Sequence, residues 1–62
     1  MKNLKIARIL AGMSQQDLAE KLKVTNHTIS RWERGSNEPN LDTLKMLATI
    51  LKVSTDYLLG RK

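Results

Sequence analysis

Four side chains of different hydrogen-bonding chemistry fall within six residues: the amide of Asn26, the imidazole of His27, the hydroxyl of Thr28 and the guanidinium of Arg31. At helical spacing His27, Thr28 and Arg31 share one face, opposite Ile29 and Trp32. Such groups suit planar hydrogen-bonding partners. An asparagine amide pairs in bidentate fashion with adenine, an arginine fork with guanine O6 and N7, and threonine with a base edge or a thymine methyl. Catalysis has little to work with. The chain has one histidine, no cysteine and no glycine-rich phosphate loop. A positioned nucleophile and base would also need a cleft that so short a chain can hardly form, so an enzyme is not expected. No metal site or other cofactor is expected either, because a single imidazole cannot build one.

The bulk composition points the same way. The chain holds 62 residues with eleven Lys and Arg against six Asp and Glu, a net charge of +5 at pH 7. Such an excess implies a polyanionic partner, with nucleic acid ahead of an anionic membrane or an acidic protein. The length suffices for one domain, residues 1–62, around one core. No apolar run approaches the roughly 20 residues of a membrane span, and the N-terminus has no signal-peptide core. A cytoplasmic protein without membrane or small-molecule partners is therefore expected. Trp32 and Tyr57 are the only aromatics, too few for the stacking platforms that hold single strands.

The elements that must position Asn26–Arg31 read as all-α: five short helices around one core. There is no sustained period-2 alternation, and no linker, low-complexity tract or internal repeat. The first helix covers about Lys2 to Ala11 and stops at Gly12. Ser14 caps a second, which runs to about Leu22 with Asp17 at its positive end. Thr25 caps a third that ends at Arg34 before Gly35. Asn40 caps a fourth that ends near Leu51, and Ser54 a fifth that ends before Gly60. Leu41, Leu44, Leu47, Ala48 and Leu51 form the core stripe of the fourth helix. No helix can bury its stripe alone, so all five must share one centre.

Only Lys23-Val24-Thr25 separates helices two and three. A turn that short makes them cross steeply, and small Ala19 permits close approach. The chain here resembles the Cro/phage-repressor family of helix-turn-helix DNA-binding domains. The matching residues are Ser14-Gln15-Gln16-Asp17-Leu18-Ala19-Glu20-Lys21-Leu22, Val24-Thr25, Ile29, Trp32-Glu33-Arg34-Gly35, Pro39, Leu41, Leu44-Lys45-Met46-Leu47-Ala48 and Val53-Ser54-Thr55-Asp56-Tyr57-Leu58-Leu59-Gly60. They span nearly the whole sequence in the family's order. One departure is Lys23, where the family usually has glycine. Either Lys23 adopts φ > 0 at a cost of about 1 kcal/mol, or the turn is reshaped.

The resemblance implies a sequence-specific regulator of transcription, a repressor above all, with helix three in the major groove of double-stranded DNA. Asn26, His27, Thr28 and Arg31 would then contact bases. Ser14, Gln15, Thr25, Arg34, Ser36, Asn37 and Asn40 would contact phosphates, some of them at helix N-termini. Glu38 makes the loop before helix four less basic than in phage repressors. Arg8 and Glu33 match a structural ion pair of the family, and losing one partner should hurt more than losing both. Ile6, Leu10, Met46 and Ile50 stand off the core where the family is commonly polar. They suggest a homodimer through helices four and five, on a pseudo-palindromic operator. The competing reading is a helix-turn-helix module for protein interaction, or an antitoxin part. That module would carry apolar residues where Asn26, His27, Thr28 and Arg31 stand.

Overall fold

Ser14, Thr25, Asn40 and Ser54 each accept a hydrogen bond from the backbone N–H three residues on. These bonds satisfy donors that a helix start leaves free, and so fix where four helices begin. The computed structural model describes residues 1–60; residues 61 and 62, which the sequence reading includes in the domain, lie outside the described residues. The order is α1 (Lys2–Leu10), α2 (Gln15–Leu22), α3 (Asn26–Arg34), α4 (Leu41–Leu51) and α5 (Thr55–Leu58), with no strand among the described residues. At α2 the cap is reciprocal: the Asp17 N–H donates to Ser14 Oγ at 3.0 Å and the Ser14 N–H donates to Asp17 Oδ2 at 3.0 Å. This is a capping box with aspartate as its acid.

The helix ends follow one rule. Gly12, Lys23, Gly35 and Lys52 all have left-handed backbone, with φ of 73°, 59°, 80° and 59°. In each case the next N–H reaches back five residues: Met13 to the Arg8 carbonyl, Val24 to Ala19, Ser36 to Arg31 and Val53 to Ala48, at 3.0–3.1 Å. That is the Schellman closure. Of the two options for Lys23, the left-handed one is therefore observed. Lys52 repeats it, which the sequence reading did not foresee. The signal was present: Leu22-Lys23-Val24-Thr25 and Leu51-Lys52-Val53-Ser54 are near copies. Each ends one helix on a left-handed lysine and starts the next on a hydroxyl cap.

Three expectations need correction. Ile50 does not stand off the core: it is half-buried and packs against it. The first helix ends at Leu10, not Ala11, which keeps φ −81° but has flattened to ψ −2° ahead of Gly12. Leu41 is not a core residue, since it is 63% exposed at the first position of α4. The stripe begins one turn later, at Leu44.

Every helix supplies at least one fully buried residue, the largest being Leu4, Leu18, Ile29, Leu47 and Leu58. Ala19 is also fully buried, and α2 packs more extensively on α3 than any other pair of helices pack on each other. The missing side-chain bulk at Ala19 is what lets the two backbones approach. Trp32, buried on α3 with Ile29, faces the same core, so the opposite side of α3 is left to solvent. Asn3 Nδ2 donates to the Tyr57 carbonyl at 2.7 Å and ties α1 to α5.

The left-handed positions set a stability expectation. Lysine there costs about 1 kcal/mol relative to glycine, partly offset by its cation at a helix C-terminus. Lys23→Gly should raise the urea midpoint by the equivalent of about 0.5 kcal/mol. At Gly35 an added Cβ meets nothing within 4 Å. Gly35→Ala should therefore lose about 1 kcal/mol through backbone strain alone. Equal midpoints for Gly35→Ala and the wild-type chain would contradict this account.

Candidate nucleic-acid interface

The exposed side of α3 is built by its buried side. With Ile29 and Trp32 turned into the core, helical geometry turns His27 and Arg31 outward, and Asn26 is at the first position of the helix; all three are exposed. Thr28 differs. It is half-buried, and its hydroxyl lies 3.0 Å from that of Thr25, the N-cap. The Thr28 N–H also donates to Thr25 Oγ1 at 3.2 Å. Thr25 and Thr28 thus form a hydroxyl pair at the start of α3.

The remaining phosphate candidates fall at other helix ends. Gln15 opens α2, and the capping box leaves only the Gln15 and Gln16 backbone N–H groups there without an acceptor among the described residues. Asn40 uses Oδ1 to accept from the Thr43 N–H at 2.9 Å, which leaves its NH2 group outward. Ser36 and Asn37 are exposed in the loop before α4. Arg34 is exposed too, but its Nε leans back to the Ser30 carbonyl at 3.4 Å. Thr25 lies at one end of α3, while Arg34 and Ser36 lie at the other, the end that Gln15 joins.

Gln15 joins it through the Arg8–Glu33 pair. Arg8 Nε donates to Glu33 Oε2 at 2.6 Å and Nη2 donates to Oε1 at 3.3 Å, with side-chain exposures of only 9% and 5%. Arg8 Nη1 also donates to the Met13 carbonyl at 2.9 Å. Gln15 Nε2 then donates to Glu33 Oε1 at 3.0 Å. The ion pair foreseen from sequence is present. The Gln15 bond to it was missed, because residues 18 apart give no local signal. Nearby, Ser14 holds the Asp17 carboxyl below its ordinary 3.8, first through its backbone N–H and then through its hydroxyl.

A capped helix, a three-residue left-handed turn and a second helix with a polar outer face define a helix-turn-helix domain. Comparison with known proteins agrees. The helix-turn-helix family model matches residues 4–58. The transcriptional regulator ImmR of Bacillus subtilis is 48% identical over 60 residues, which cover 97% of this chain and 47% of that protein. The transcriptional activator BcrR of Enterococcus faecalis is 37% identical over 60 residues, 94% of this chain and 29% of that protein. The 26 kDa repressor of Escherichia phage HK022 is 44% identical over 46 residues, 74% of this chain and 20% of that protein. This chain belongs to the helix-turn-helix family of the Cro/phage-repressor type. It spans about half the length of ImmR. No helix among the described residues is long and apolar enough to cross a membrane.

Two measurements probe the site's framework. Arg8→Met or Glu33→Met alone strands a buried charge and should cost about 3–5 kcal/mol, whereas the paired Arg8→Met/Glu33→Met exchange should be near neutral. Urea unfolding of the three variants decides it, and additive losses would argue against a coupled pair. For Asp17 the folded pKa is depressed, so its contribution is present above pH 3.8 and disappears as pH falls through the folded value. The gap between wild-type and Asp17→Asn midpoints should shrink as pH drops below 3.8. A gap constant from pH 6 to 2 would refute it.

Proposed function

We propose that this domain binds double-stranded DNA sequence-specifically through α3 in the major groove, as the DNA-binding part of a transcriptional regulator, most plainly a repressor. The observation that carries this reading is the outer face of α3. Asn26, His27 and Arg31 are exposed over a buried Ile29–Trp32 face. No hydrogen bond among the described residues engages the side chains of Asn26, His27 or Arg31. In this reading they meet base edges, with Thr28 beside them presenting its hydroxyl pair or its methyl. Ser14, Gln15, Thr25, Arg34, Ser36, Asn37 and Asn40 contact phosphates, and the net charge of +5 supplies the long-range attraction. The phage protein named a repressor supports the negative sign of regulation, and the BcrR name keeps activation in play for this family.

The reading includes a homodimer on a pseudo-palindromic operator. Leu10 is 81% and Met46 48% exposed. Leu10 and Ile50 line an open groove of about 450 Å³ with Met13, Val53 and Tyr57. Apolar surface of this kind favours self-association, which would pair two reading helices about one DNA turn apart.

Selection of bound duplexes from a random pool tests the whole reading. A symmetric consensus is expected. Arg31→Ala should relax one base position per half-site at a cost of about 1–3 kcal/mol, while Gln15→Ala should weaken all sequences alike. A pool that never converges, or a strictly monomeric complex in sedimentation on the selected duplex, would remove the specific or the dimeric part.

A further inference from the structure

We propose that the Arg8–Glu33 pair is the positioning device for Gln15, and so sets the strength of a DNA phosphate contact although neither charged residue touches DNA. The inference rests on the DNA-binding reading above and assigns Glu33 as a positioning residue within it.

Three donors converge on the Glu33 carboxylate. Arg8 supplies two of them, at 2.6 and 3.3 Å, and Gln15 Nε2 the third, at 3.0 Å. An amide nitrogen has two hydrogens about 120° apart in one plane. With one given to Glu33, the other is held at a fixed angle to it, as a donor for an outside acceptor. A glutamine at the surface otherwise loses several torsions on contact. Here that ordering is completed on folding, which favours later binding.

The charge arrangement fits an anionic acceptor. A bare carboxylate 3.0 Å from Gln15 would repel a phosphate. A carboxylate in the last turn of α3 also opposes the helix dipole. Arg8, reaching over from α1, neutralises both effects, and its Nη1 bond to the Met13 carbonyl anchors the backbone two residues before Gln15. The Gln15 and Gln16 backbone N–H groups next to it have no acceptor among the described residues. The order of transmission is therefore Arg8 to Glu33, Glu33 to Gln15, and Gln15 to a phosphate oxygen.

A merely structural pair would change stability but not the worth of Gln15. The test is a double-mutant cycle on the full chain, with duplex affinity measured on a selected site. Gln15→Ala is made in the wild-type background and in the Arg8→Met/Glu33→Met background. The cycle expects about a tenfold loss in the first, the worth of one charge-assisted hydrogen bond, and under about twofold in the second. The salt slope should stay unchanged in both, because glutamine displaces no counterion. Equal losses in the two backgrounds overturn the proposal. A second measurement needs no variant to fold except Gln15→Ala, used for assignment. In the free wild-type domain the Gln15 side-chain amide protons should resonate apart from those of exposed glutamines, and their coincidence with the exposed set overturns the proposal as well. Wild-type protein that binds no duplex defeats the DNA reading itself, whereas duplex binding with an unchanged Gln15 factor defeats only this inference.

Discussion

A carboxylate with 5% side-chain exposure must be neutralised where it stands, and in this domain that requirement falls on Glu33. Its partner comes from another helix, so α1 cannot leave α3 without stranding a charge. The same guanidinium also satisfies the Met13 carbonyl, and Met13 precedes the Ser14 cap by one residue. One buried charge thereby fixes three things: the docking of α1, the start of α2 and the end of α3. The net stabilisation from such a pair is small, since desolvation offsets attraction. What it supplies is exclusion of other arrangements, useful in a domain whose core holds eleven buried apolar residues among the described ones.

The second constraint is conformational. Connections this short require the chain to reverse at single left-handed residues, which glycine adopts freely and other residues adopt at a cost. Lysine stands at two of these positions, Lys23 and Lys52. A cation just beyond a helix C-terminus meets the negative end of the dipole, so lysine recovers part of the strain it carries. The Leu-Lys-Val-Ser/Thr segment can thus close a helix, reverse the chain and cap the next helix in four residues. That compactness places α2 against α3 with Ala19 at the contact.

The elements were legible because their signals are local. Ser14, Thr25, Asn40 and Ser54 announced helix starts by residue type, and Gly12, Gly35 and Gly60 announced reversals. The core residues Leu18, Ile29, Leu44, Leu47 and Leu51 followed from helical spacing. Leu41 misled because it keeps the stripe's spacing while sitting in the first turn, before α4 reaches the core. Lys52 was overlooked because charge, not backbone, is what a lysine advertises. For the interface, sequence supplied residue types but not commitments. Nothing local indicates that Gln15 spends a hydrogen on Glu33, and residue type alone does not say that Thr28 shares its hydroxyl with Thr25. The Gln15 bond exists only once the helices have packed, whereas the threonine pair is local to the start of α3 and turns on rotamer choice.

The division between committed and uncommitted atoms has a physical origin. Helix N-termini gather free N–H groups, and the small polar residues that satisfy them are also the residues suited to phosphate oxygens. Ser14, Thr25 and Asn40 are therefore caps first, each with an oxygen already engaged inside the fold. Their position relative to any partner is fixed by folding. Asn26 is exposed in the first turn after the Thr25 cap, and His27 and Arg31 lie opposite Ile29 and Trp32, where no hydrogen bond among the described residues engages their side chains. Variation there can change what is recognised while the scaffold holds, whereas variation at the caps changes the scaffold itself. A domain this small separates the two roles by assigning them to different atoms, not to different regions.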